Sequence, residues 1–174
     1  PYKIFEEYNG KRIFFSGNSL LEKTLGRQLS VIDSGSSVAH ASTNLAAYLG
    51  CDPVVFIGQD LAYTDDRTHA EETVPEKHFI MEAMEDLSIK EADIMCEDIY
   101  GNMVKTNNVY LGFRDLLELI ISMNEDRKFI DATEGGAKIK DTEILTLRET
   151  IDKYSHIKPK HELDYEKIAP YDGK

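Results

Sequence analysis

Apolar positions along this chain switch between two periods. A short unbroken apolar run at residues 54–57 and a second run that ends on Asp131, residues 128–131, are too brief for helices and read as buried strands; residues 12–15 read as another. Longer stretches repeat at three and four residues instead. Residues 38–49 read as a helix built largely of small side chains, with Ala39, Ala41, Ser42, Ala46 and Ala47 allowing close approach to a sheet. Residues 107–123, capped by Thr106, place Tyr110, Phe113, Leu116, Leu117, Ile120 and Ile121 on one broad buried face. Leu20, Leu21, Leu25 and Leu29 suggest a short helix broken near Gly26, and Phe79, Ile80, Ala83, Met84 and Leu87 mark another that opens at Pro75. A last helix, capped by Asp141 or Thr142, runs through Ile144, Leu147, Ile151 and Tyr154.

Strands alternating with helices of a dozen or so residues predict an α/β fold, a mostly parallel sheet with helices on both faces. Residues 94–96 and 103–105 flank the turn-forming segment 98–102 and predict an antiparallel hairpin at one edge. Internal repeats and low-complexity segments are absent from the sequence.

The candidate chemistry sits where predicted strands end. The run at 54–57 stops at Gly58-Gln59-Asp60, and the run at 128–131 stops at Asp131, followed by Thr133-Glu134-Gly135-Gly136. Ligands of open α/β sheets bind beyond the carboxyl ends of the strands, so two such loops after two neighbouring parallel strands would border one crevice. A third loop precedes the small-residue helix. Gly35, flanked by serines, lets the backbone turn sharply, and the first N–H groups of the helix would then face phosphate or another anion; Ser36 and Ser37 can equally serve as plain helix caps. Gly35, Ser36, Gln59, Asp60, Thr133, Glu134 and Gly135 are therefore expected to converge in one pocket, with Ser37, Gly58 and Gly136 completing the three loops. The glycines could also serve turn geometry alone.

Beyond Asp60 the chain is polar through residue 72, as in a lid or binding loop. Asp60 could hold ribose or acceptor hydroxyls or orient a catalytic group, against the plainer reading of a carboxylate that caps the next turn. His69 is the histidine placed to act as a general base, against the plainer reading of a surface side chain. Asp60, Asp65, Asp66, His69, Glu71 and Glu72 could admit a divalent metal, though solvated acidic loops are common and no metal site is assigned.

Composition narrows the partners. With 32 acidic and 20 basic residues the 174-residue chain carries a net charge of −12, which argues against nucleic acid and against an anionic membrane surface. Cys51 and Cys96 lack metal-ligand spacing and fit a reduced, cytoplasmic protein. The length suits one domain, and the sequence shows no signal peptide and no membrane-spanning apolar run.

Three blocks in order, residues 35–39 (GSSVA), 57–63 (IGQDLAY) and 131–137 (DATEGGA), resemble the motility accessory factor family. The resemblance implies a Rossmann-like central domain similar to bacterial sialyltransferases that use CMP-activated sugars. It implies a cytoplasmic bacterial glycosyltransferase that moves a nonulosonic acid from a CMP-sugar to Ser or Thr of flagellin. A related branch with the same domain, the archaeal 6-hydroxymethylpterin diphosphokinase, uses ATP instead. A third reading is a non-catalytic fragment that binds a partner. The family's glycine-rich Gly-x-Gly-Pro-Ser-Leu turn is only echoed, at residues 16–21, without its second glycine and its proline. The resemblance therefore implies that residues 1–154 are the C-terminal part of that domain, with residues 155–174 a linker or the start of a further segment. On that expectation the isolated chain transfers no sugar, and its open sheet edge is covered by a second copy, a homo-oligomer, or by a rearranged segment of its own.

Overall fold

The computed structural model describes residues 7–10, 35–63 and 94–158. The strand expected at 12–15, the turn at 16–21, the helices at 20–29 and 75–87, the polar loop beyond Tyr63 and the tail beyond Lys158 lie outside the described residues.

The architecture is mixed α/β, with a parallel sheet consistent with part of a Rossmann-like domain. In chain order the described elements are α1 (Val38–Tyr48), β1 (Val54–Phe56), β2 (Ile94–Glu97), β3 (Met103–Thr106), α2 (Asn108–Ser122), β4 (Phe129–Asp131), β5 (Glu143–Ile144) and α3 (Leu147–Tyr154). Strands β1, β4 and β5 form the parallel sheet with β4 at its centre, and Phe56 of β1 faces Asp131 of β4 in register. Parallel neighbours end at the same side. The loops that follow β1 and β4 therefore leave the sheet side by side, as the two strand-end signatures led us to expect.

Burial explains why the sheet forms there. Val54, Phe56 and Phe129 pack with Leu117 and Ile121 of α2 and with Ile139, and the Phe56 and Phe129 rings stack at 6.2 Å with 15° between planes. Each such side chain contributes about 1.5–3 kcal/mol on burial. Small residues let α1 lie against α2 and β1, and Thr43, buried in that contact, donates its hydroxyl to the Ala39 carbonyl at 2.8 Å.

Three sequence-based expectations need correction. Asn107, not Thr106, caps α2: its Oδ1 accepts the Tyr110 N–H at 2.8 Å, while Thr106 is the last residue of β3 and fully buried. The hairpin forms, but as a separate two-stranded sheet of β2 and β3 instead of an edge of the parallel one. Its turn is set by Asp98, whose Oδ1 accepts the N–H groups of Tyr100 and Asn102, each at 2.8 Å. The last helix begins later than expected, because residues 143–144 join β4 as a short strand; Thr146 and Glu149 then close a capping box at the start of α3.

No helix among the described residues is long and apolar enough to cross a membrane.

Candidate functional site

The β1 and β4 loops are joined by one backbone-to-side-chain and one backbone-to-backbone hydrogen bond. Gln59 donates its N–H to Thr133 Oγ1 at 3.2 Å, and Ala137 donates its N–H to the Asp60 carbonyl at 2.7 Å. Gly136, with φ +77°, lies so near Asp60 that a Cβ there would collide with the Asp60 Cα and carbonyl, so close approach requires a glycine. Gly58, with φ +67°, has open space around it, and its glycine serves conformation alone.

Each of these loops also holds a non-glycine residue in the left-handed region, Leu61 at φ +48° and Glu134 at φ +65°. Such backbone costs on the order of 1–3 kcal/mol and persists where surrounding structure imposes it. The β2–β3 hairpin supplies that restraint. Thr106 donates its hydroxyl to the Leu61 carbonyl at 2.8 Å, and Tyr100 donates its hydroxyl to the Glu134 carbonyl at 3.0 Å. Ile99 and Lys138 add backbone bonds to Gly136 and Glu97, and Asp98 bridges to Ala137. The hairpin therefore clamps both loops at their strained residues. Thr106→Val keeps the shape of the side chain but removes the donor to a half-buried carbonyl, for an expected loss of about 1–3 kcal/mol. Tyr100 is exposed, so water replaces its bond in Tyr100→Phe and the loss should be a few tenths of a kcal/mol. Urea unfolding of the two variants would test this ranking, and equal losses would contradict it.

Two carboxylates lie at these strand ends, one buried and one exposed. Asp131, at the end of β4, is 1% exposed. Its Oδ1 accepts the Thr133 N–H at 3.1 Å, whereas Oδ2 is buried without a donor among the described residues. Burial pushes the Asp131 carboxyl above its ordinary range, the Thr133 N–H and hydroxyl pull it back, and the Asp60 charge pushes it up again. Asp60 is exposed as a residue, yet enough protein crowds its carboxyl to raise it as well. Among the described residues neither carboxylate belongs to an ion pair, and no group of three or more His, Cys, Asp or Glu side chains is arranged to hold a metal.

The third expected loop, at Gly35, Ser36 and Ser37, is turned onto its own helix. Ser36 and Ser37 donate their N–H groups to His40 Nδ1 at 3.3 and 3.1 Å. Because Nδ1 accepts, Nε2 carries the proton, and it donates to the Phe113 carbonyl of α2 at 2.9 Å. His40 is fully buried, edge-on to the Phe113 ring, and a Cβ on Gly35 would strike His40 and Leu116. The described contacts of this loop thus run to α2.

Of the expected site residues, Gly58, Gln59, Asp60, Thr133, Glu134, Gly135 and Gly136 lie on the two joined loops, Gly35, Ser36 and Ser37 lie on the His40 turn, and His69 lies outside the described residues. Asp65, Asp66, Glu71 and Glu72 of the acidic loop lie outside them too. Sequence reasoning missed His40 and the burial of Asp131. The first had a readable signal, a polar residue three places after a Ser N-cap, as in a capping box.

Comparison with known proteins gives one partial match. A family model described as 6-hydroxymethylpterin diphosphokinase MptE-like matches residues 1–66, which takes in the β1 loop but not the β4 loop. No curated protein and no solved structure matches the chain.

Proposed function

We propose that residues 1–154 form part of a Rossmann-like transferase domain of the motility accessory factor type, with residues 155–174 a linker or the start of a further segment. Its substrate is a CMP-activated nonulosonic acid and its acceptor a Ser or Thr hydroxyl of flagellin. The observation that carries this reading is the joining of the Gly58–Asp60 and Thr133–Ala137 segments at the carboxyl ends of neighbouring parallel strands. That arrangement gives an open α/β sheet a walled crevice for a phosphorylated ligand. A net charge of −12 requires the phosphates to be held locally, by loop N–H groups, against the field of the whole chain.

A second reading, an ATP-dependent 6-hydroxymethylpterin diphosphokinase, is favoured by the description of the family model that matches residues 1–66. Isothermal titration of the protein with CMP and with ATP separates the two. Preferential binding of CMP supports the transferase, preferential binding of ATP the diphosphokinase, and binding of neither removes both in favour of a non-catalytic partner-binding domain.

Within either enzyme Asp60 is the carboxylate at the crevice mouth. Asp60→Asn keeps the shape, removes the charge and leaves the main-chain bond to Ala137 in place. Nucleotide affinity should fall roughly 10- to 100-fold, the loss of one charge-assisted contact, with the unfolding midpoint no lower than in the wild type, because burial disfavours the Asp60 charge. Full affinity in this variant would mean that Asp60 only shapes the turn.

A further inference from the structure

Tyr100 is an exposed aromatic residue that the fold nonetheless holds at both ends. It sits in the turn of the β2–β3 hairpin, 67% exposed, and donates its N–H to Asp98 Oδ1 at 2.8 Å. Its hydroxyl reaches across to the loop after β4 and donates to the Glu134 carbonyl at 3.0 Å. A tyrosine this exposed ordinarily keeps its hydroxyl in water and its ring free to change rotamer, because ordering a side chain costs conformational entropy. Here the ring is ordered by the protein itself, and yet its faces are unused. Among the described residues no other ring stacks on it and no cation lies over it. The neighbouring space is open too: a Cβ added to Gly101 would meet nothing within 4 Å beyond its chain neighbours, and the same holds at Gly58 of the β1 loop. The bond to Glu134, three residues past the end of β4, sets the ring at the edge of the two joined loops, on the side of the sheet where open α/β folds bind their ligands.

We propose that the open face of Tyr100 is the platform on which the base of a bound nucleotide stacks. With its hydroxyl committed to Glu134, the side chain offers a ligand its π-face and not a hydrogen bond donor. A flat aromatic base is the part of a nucleotide that such a face recognises, and stacking accepts any base because every base has a π-face. The base is also neutral. The chain's net charge of −12 works against the phosphates but leaves this part of the ligand unopposed, so a stacking contact adds affinity where the overall field removes it. A ring already fixed by Asp98 at its backbone and by Glu134 at its tip loses little further freedom when the base arrives, which is the advantage of preorganisation.

The platform rests on the nucleotide reading but not on the choice between CMP and ATP. The protein is titrated with each by calorimetry, and the base protons of the bound nucleotide are followed by NMR, where the ring current of Tyr100 should move them upfield. Tyr100→Ala should weaken binding about 5- to 150-fold and abolish the upfield shift. Tyr100→Phe keeps the ring and drops only the bond to Glu134, so its affinity should stay within a few-fold of the wild type and the shift should persist. Tyr48→Ala is the control: it removes a tyrosine that is 81% exposed at the last position of α1, where the chain turns into the start of β1 at the other end of the sheet, and should bind as the wild type does. Equal affinity in the wild type and Tyr100→Ala, or equal losses in Tyr100→Ala and Tyr100→Phe, overturns the platform and leaves the nucleotide reading standing. Binding of neither nucleotide by the wild type removes both. Circular dichroism checks folding; should Tyr100→Ala lose structure, the wild-type base protons decide, and their failure to move upfield overturns the proposal.

Discussion

Gly136→Ala is expected to lower folding stability by about 2–5 kcal/mol, combining roughly 1–2 kcal/mol for a left-handed residue that gains a Cβ with about 1–3 kcal/mol for forced overlap in a packed site. The reason is local. A Cβ at this position overlaps the Asp60 backbone, and the Ala137 N–H to Asp60 carbonyl bond, 2.7 Å long, holds the two chains at that separation. Gly58→Ala is the control, because Gly58 has the same sign of φ but open space beside it, so only the conformational part, about 1–2 kcal/mol, should be lost. Urea unfolding of both variants at equal m measures the difference. Because domains of this kind have about 5–15 kcal/mol in total, the Gly136 variant should show a plainly reduced midpoint. Equal losses at the two positions would mean that the loops can separate without penalty. If the joined loops form the ligand crevice, nucleotide affinity should fall further in Gly136→Ala than in Gly58→Ala, since the first alters their spacing and the second does not.

That contrast also shows what the sequence made legible. Residues 54–57 and 128–131 announced themselves as strands because their apolar runs were short and ended in turn-forming or acidic residues; both strands formed, parallel and adjacent. The hairpin and α2 were equally plain, since a turn-forming segment and a broad apolar face are properties of the local pattern. Strand β5 was not, because Ile144 stands at helical spacing with Leu147, Ile151 and Tyr154 and reads as part of the last helix; the strand is defined by its backbone pairing to β4. The roles of the glycines divide the same way. Three glycines in two loops looked alike as sequence, yet Gly136 answers to a neighbour 76 positions away along the chain (136 − 60), and Gly58 answers only to its own dihedral angle. Asp131 was visible as the carboxylate that ends a strand, but its burial and the unpaired oxygen depend on tertiary packing, and only the packed chain contains that information.

His40 is the position where the largest effect of a single side-chain truncation is expected outside the sheet core. Its imidazole performs three tasks at once: Nδ1 takes the N–H groups of Ser36 and Ser37, Nε2 satisfies the Phe113 carbonyl, and the ring fills the space between the Gly35 turn and α2. His40→Ala removes all three, leaves a cavity and strands a carbonyl, for a cost of about 3 kcal/mol. His40→Phe restores volume and the edge contact with Phe113 but no hydrogen bond, so it should lose roughly 1–3 kcal/mol, less than alanine. The order wild type, phenylalanine, alanine in urea midpoints is the structural signature. The same pair of variants bears on the anion-binding expectation for this loop. With both ring nitrogens occupied inside the protein, the imidazole does not touch a ligand, and the folded fraction of His40→Phe should bind CMP or ATP no more weakly than the wild type. It should bind more tightly if phosphate must compete with His40 for the Ser36 and Ser37 donors. Affinity lost beyond what the unfolded fraction explains would place the imidazole in the binding site and contradict its assignment as the cap that joins α1 to α2.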